Sequence, residues 1–177
     1  MSRYSAIIPN DVSNGEGVCV SFFVQGCPHH CEGCFNPETW DFEGGKPYTI
    51  ETKWEIIKAI SANGIERSFS VLGGEPLALN NLDMVDEVIT AVRTAYPEIT
   101  IYLWTGFIMS DLVFSNNSKI KSILSKVDYV IDGPFKEELK NLDLKWRGSI
   151  NQNIWGKING EWRIVNGRIE GEDRFLG

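Results

Sequence analysis

Gly26-Cys27-Pro28-His29-His30-Cys31-Glu32-Gly33-Cys34-Phe35-Asn36-Pro37 is the stretch from which the rest of the chain can be read. It holds three of the four cysteines and both histidines, with the spacing C-x3-C-x2-C. Thiolates are the usual ligands of zinc and of iron–sulfur clusters, so three of them in one short loop point to a metal or cluster site. Immediately before it, Val18-Cys19-Val20-Ser21-Phe22-Phe23-Val24 is β-branched and aromatic with no breaker inside. That is the pattern of a strand buried on both faces.

The same arrangement recurs downstream. A strand at 69–72 ends on Gly73-Gly74-Glu75-Pro76, one at 100–104 ends on Thr105-Gly106-Phe107, and one at 128–131 ends on Asp132-Gly133-Pro134-Phe135. Helical periodicity separates them: 50–62 with Thr49 as its cap, 82–94 with Met84, Val85, Val88, Ile89 and Val92 inward, then 108–114 and 118–125. Strands alternating with helices predict βα units on a parallel sheet. In such sheets the carboxyl ends of the strands carry the site, so the four unusual loops are expected to converge on one mouth. A short strand at 4–8 precedes this core. After residue 153 the pairs Asn159-Gly160 and Asn166-Gly167 predict a β-meander with strands at 153–158, 161–165 and 168–170. The expected organisation is one domain, with residues 1–153 as its core and 154–177 as a β extension.

Composition narrows the class. With 177 residues, 42% hydrophobic and 23% charged, the chain is long enough for a real core. It contains no apolar run of membrane-spanning length and no signal-peptide core, so a cytoplasmic protein without a membrane partner is expected. Cysteines in a reducing compartment read as metal-binding or catalytic before they read as disulfides. The net charge of −7 argues against nucleic-acid binding, which needs a basic patch.

The donor set leaves two chemistries open. A closed zinc site takes four ligands, and Cys27, Cys31 and Cys34 with His29 or His30 would supply them. A [4Fe-4S] cube takes one cysteine per iron, so three cysteines leave one iron free for a small molecule. Cys19 lies mid-strand and reads as a small buried residue outside the ligand set. Around the mouth, Asn36, Thr105, Asp132 and Arg147 are polar residues of types that also form turns, and Trp40, Phe42, Trp104, Phe107 and Phe135 are candidate wall residues.

Cys27, Cys31 and Cys34 after the first buried strand, with Gly73-Gly74-Glu75-Pro76 after the next, resemble the radical S-adenosylmethionine (SAM) enzymes. A narrower resemblance covers residues 3–153. Asn14-Gly15-Glu16-Gly17-Val18, Gly33-Cys34-Phe35-Asn36-Pro37-Glu38-Thr39-Trp40, Trp104-Thr105-Gly106-Phe107, Asp132-Gly133-Pro134-Phe135 and Arg147-Gly148-Ser149-Ile150-Asn151-Gln152 are similar to the activating proteins of the anaerobic (class III) ribonucleoside-triphosphate reductase. That family usually has Tyr where this chain has Phe107. The added ferredoxin-like cysteine segment of larger glycyl-radical activases does not follow the cysteine loop.

The resemblance implies an α/β partial (β/α) barrel of radical-SAM type. It implies an oxidoreductase with a [4Fe-4S] cluster on Cys27, Cys31 and Cys34, and SAM bound at the open iron. It places Gly33, Cys34, Phe35, Asn36, Gly73, Gly74, Glu75, Thr105 and Asp132 around that cofactor. The protein substrate would be the anaerobic reductase, from one glycine of which a 5′-deoxyadenosyl radical takes hydrogen. Flavodoxin or ferredoxin would donate the electron.

Overall fold

The computed structural model describes residues 1–166. Alternation along the strand before the cysteine loop sets the layers. In β2 (Cys19–Val24), Val20, Phe22 and Val24 join the hydrophobic core beneath the helices, while Cys19, Ser21 and Phe23 take the opposite face. The same two-residue period continues in β4 (Ser68–Gly73) and β5 (Ile101–Trp104), where Phe69, Val71, Ile101 and Leu103 face the core. α1 (Ile50–Ile60), α2 (Leu82–Ala95) and α4 (Ser118–Lys126) cover that face, with a short α3 (Met109–Val113) beside α4. α2 buries Leu82, Met84, Val85, Val88, Ile89 and Val92, the stripe its sequence predicts. Thr49 caps α1 as expected: its hydroxyl accepts from the Thr52 amide, and the Thr52 hydroxyl accepts from the Thr49 amide.

With β1 (Arg3–Asp11), β3 (Lys46–Pro47), β6 (Tyr129–Asp132), β7 (Asn153–Ile158) and β8 (Glu161–Ile164), the sheet has eight strands in the order β3-β1-β2-β4-β5-β6-β7-β8. β2, β4, β5 and β6 are mutually parallel; the pairings outside them are antiparallel. The parallel α/β core is therefore as read from the sequence, and the pairing does not close the sheet, which the expected partial barrel does not require. The sheet is open, with β3 and β8 at its two ends. Antiparallel hairpins at both ends add strands outward instead of curling the parallel set toward closure. β1 runs several residues beyond the expected strand, and β3 was not anticipated. The meander is present as β7 and β8; the strand expected at 168–170 lies outside the described residues. No helix among the described residues is long and apolar enough to cross a membrane.

The second face of the sheet is covered by residues 133–152, an irregular strap. Its limbs meet through Asn141 N to Gly148 O (3.0 Å) and Ile150 N to Leu139 O (3.0 Å). Gln152 fixes its base: Oε1 accepts from the Gly148 and Ser149 amides, and Nε2 donates to the Gly133 carbonyl.

Arg67, only 4% exposed, closes the far end of α1. Its guanidinium donates to the carbonyls of Ala59, Ala62 and Ile65 and to the Asn10 side chain. A lysine cannot serve that many acceptors from one point. Arg67→Lys is expected to lower stability by about 2 kcal/mol, because buried carbonyls lose their donors. Urea unfolding of the two proteins checks this.

Candidate metal centre

The cysteine loop is a closed excursion from the end of β2. Gly26 N donates to Thr39 O (2.8 Å) and Cys27 N to Trp40 O (3.1 Å), so the chain returns to its starting point. Within it, Cys34 N donates to Cys31 O (3.1 Å), and Asn36 N reaches the Cys34 sulfur at 3.4 Å. The His29 and His30 amides serve the Cys27 sulfur, and the Phe135 amide, from the strap, serves that of Cys31. Burial nonetheless dominates and pushes the Cys27 and Cys31 thiols above the ordinary thiol range.

Glu75 ties this loop to its neighbours. The residue is 1% exposed, and its carboxylate accepts four hydrogen bonds. Oε1 takes Leu77 N and Thr105 Oγ1, both at 2.8 Å; Oε2 takes Gly106 N at 2.7 Å and His29 Nε2 at 2.8 Å. A carboxylate only accepts, so the His29 nitrogen facing it carries the proton. The main chain repeats the link, with Glu75 N donating to Gly26 O (2.8 Å) and buried Asn81 Nδ2 donating to Glu75 O (2.9 Å) and Gly26 O (3.3 Å). Gly74 is the point of closest approach: a Cβ there would lie 2.5 Å from the Gly26 carbonyl oxygen. Gly106 is equally constrained, since its Cβ would meet the His29 ring at 2.5 Å.

These contacts leave a cavity of about 150 Å³ between the loops. Cys27, Cys31 and Cys34 line one side with Phe35 and Asn36; Gly73, Gly74, Glu75 and Thr105 line the other. Two expected residues are placed differently. Gly33 lies outside the lining, at φ +71° with the Glu137 side chain against it. Asp132 also lies outside it: Oδ2 accepts from Met109 N (2.7 Å) and Oδ1 from Asn153 N (3.2 Å), so its carboxylate starts α3 and β7. Cys19 is fully buried at the opposite end of β2, its sulfur directed to the Glu16 carbonyl, away from the other three cysteines. The small cavity shares Phe35, Asn36, Leu72, Trp104, Phe135 and Gln152 with a larger one of about 400 Å³ under the strap.

The donor set suits a cluster better than a single ion. Three thiols face one cavity. A closed tetrahedral zinc site needs a fourth ligand beside them, whereas a cube of irons takes each thiolate on a separate metal. The histidines are also occupied: His29 faces Glu75 and packs edge-on to Phe107 at 4.7 Å, and His30 stacks on Trp40 at 4.7 Å.

Residues 13–155 match the family described as "4Fe-4S single cluster domain". A protein of Enterobacteria phage T4 is 36% identical over 91% of this chain and 98% of its own length. One from Vibrio cholerae is 38% identical over 86% of this chain and 96% of its own, and one from Escherichia coli K12 is 33% identical over 86% and 97%. All three are named anaerobic ribonucleoside-triphosphate reductase-activating protein. The chain belongs to this activating-protein family.

Some of the centre carried no sequence signal. The donation from Phe135 to Cys31 depends on the strap folding back, and Asn81 sits in an ordinary polar turn. Gly26 stands in the motif that carries the resemblance, but its reason, an added Cβ that would strike the Phe42 ring, was not legible.

Glu75→Gln keeps the shape but places an amide NH2 among donors. It is expected to cost roughly 2–3 kcal/mol in urea unfolding. The raised thiols set a pH dependence for the metal-free protein. The thiolate is the reactive form, so alkylation of Cys27 and Cys31 by iodoacetamide should be slower at pH 7 than that of a free peptide cysteine and should rise with pH beyond the ordinary thiol range. Mass spectrometry of the modified peptides measures it.

Proposed function

We propose that the chain is a radical-SAM activating enzyme whose protein substrate is the anaerobic ribonucleoside-triphosphate reductase. The observation that carries this reading is the pairing of three cysteines with Gly73-Gly74-Glu75 across one cavity, in a chain of the activating-protein family. When bound, the [4Fe-4S] cluster supplies the electron that cleaves SAM to methionine and a 5′-deoxyadenosyl radical, which takes hydrogen from a glycine of the reductase.

The chain's own residues bind, orient and exclude. Cys27, Cys31 and Cys34 would hold three irons of the cluster, leaving one open to SAM. The backbone of Gly73 and Gly74 forms the facing wall, where carbonyls would accept from the methionine ammonium group. Phe35, half exposed and packed on Phe135 at 5.0 Å, offers a face to the adenine. Glu75, bonded to Thr105 on its own wall and to His29 of the cysteine loop, ties the two walls together. Trp104, tied through Nε1 to the Trp146 carbonyl (2.8 Å), helps keep water from the radical. Flavodoxin or ferredoxin fits as the reductant, because the cluster needs one low-potential electron per turnover.

Anaerobic reconstitution with iron and sulfide, followed by SAM, a reductant and the reductase, tests the reading. The expected results are roughly four irons per chain and a glycyl-radical signal in electron paramagnetic resonance. A colourless protein with one zinc refutes the cluster, and SAM cleavage without a radical on the reductase refutes the substrate. Cys31→Ala should lose the cluster, whereas Cys19→Ser should retain its iron; iron analysis distinguishes the two.

A further inference from the structure

Arg147 lines the larger cavity without an anion to face. Every other described arginine has a clear occupation. Arg67 serves a ring of carbonyls, Arg93 pairs with Asp128 at 2.7 Å, Arg163 pairs with Glu161, and Arg3 donates to Gly44 and Gly45. Arg147 has two long bonds only, Nε to Lys145 O at 3.4 Å and Nη1 to Gln152 O at 3.3 Å. Both acceptors are neutral carbonyls of its own strap. Nη2 has no partner among the described residues, and none of their carboxylates lies within ion-pair distance of the guanidinium. Desolvation alone shifts this group, downward, with no neighbouring charge to offset it.

The cavity around it is otherwise uncharged. Phe23, Leu72, Trp104 and Trp146 form apolar walls, and the polar lining residues Ser13, Asn14 and Asn36 are neutral. A cation held beside apolar walls gains most from an incoming anion. One guanidinium with no second Arg or Lys in the lining matches the charge and the planar fork of a carboxylate. A phosphate carries more charge and generally gathers several donors. Because this cavity shares its walls with the cysteine cavity, a segment bound here delivers its main chain to the cysteines.

We propose that Arg147 is a carboxylate-binding residue of the larger cavity, and that the carboxylate belongs to the polypeptide segment presenting the reactive glycine. This rests on the activating-enzyme reading above and adds the chemistry by which the substrate is positioned. Arg147 acts by holding that segment, not by touching the reacting atoms.

The test uses the reconstituted protein, intact reductase and SAM under anaerobic conditions, with binding of each partner measured separately. Arg147→Gln should weaken association with the reductase roughly 30-fold or more, as for loss of one member of a desolvated charge pair. Its SAM affinity and urea midpoint should stay at wild-type values, and Arg147→Lys should restore part of the association. Replacing the acidic residues of the glycine-bearing segment one at a time by their amides should reveal one with a matching loss that adds nothing to Arg147→Gln. Unchanged reductase association in Arg147→Gln overturns the proposal, as does a loss that no amide replacement reproduces. A fall in SAM affinity with reductase association intact assigns the carboxylate to SAM and overturns the polypeptide source. Wild-type protein that assembles its cluster and binds SAM but not the reductase refutes the activating-enzyme reading, and this proposal with it.

Discussion

The buried carboxylate of Glu75 is the constraint on which the centre depends. An ionised group taken from water is strongly unfavourable unless its lone pairs are met by donors. Here they are met by one histidine, one hydroxyl and two backbone amides from three separate segments. Each segment follows a different strand, β2, β4 or β5, so the geometry of the mouth is fixed by one residue and not by any single loop. The sheet supplies parallel strand ends side by side; Glu75 sets their loops to a common spacing. This also explains why glycines crowd here. With the loops drawn so close, Gly74 against the Gly26 carbonyl and Gly106 against His29, there is no volume for a Cβ.

What the sequence revealed follows from which interactions are local. Strand and helix periods, the Thr49 cap and the Asn159-Gly160 turn depend on neighbouring residues, and each appears where its pattern places it. The convergence of strand-end loops was legible because parallel topology forces it. The pairing at one end of the sheet was not: β3 has no strand pattern of its own, and its place beside β1 depends on contacts far apart in the chain. Asp132 shows the limit at a single residue. A carboxylate at a strand end looks the same in sequence whether it faces a cavity or starts the next helix; only the position of the Met109 amide decides. Glu75 is the converse case, an acid in a motif where its charge is spent on structure as well as on lining the cavity.

The two faces of the sheet do different work. The helix-covered face holds aliphatic side chains from strands and helices and supplies most of the buried apolar area. The opposite face carries the more polar Ser21, Ser70, Tyr102 and Trp104, and open volume lies beside Phe23, Leu72 and Trp104. Rigidity and access are thus assigned to opposite sides of the same four parallel strands.

The Phe135 amide, which favours a charged Cys31 sulfur, carries a consequence for the charge at that residue. A donor aimed at a thiolate stabilises negative charge there, and so favours the reduced form of whatever that sulfur holds. The donors to Cys27 and Cys34 come from within the cysteine loop itself. At Cys31 its own amide is joined by that of Phe135, from the strap that also lines the larger cavity. The electrostatic surroundings of Cys31 are therefore not a property of its loop alone: they include the cover over the neighbouring chamber.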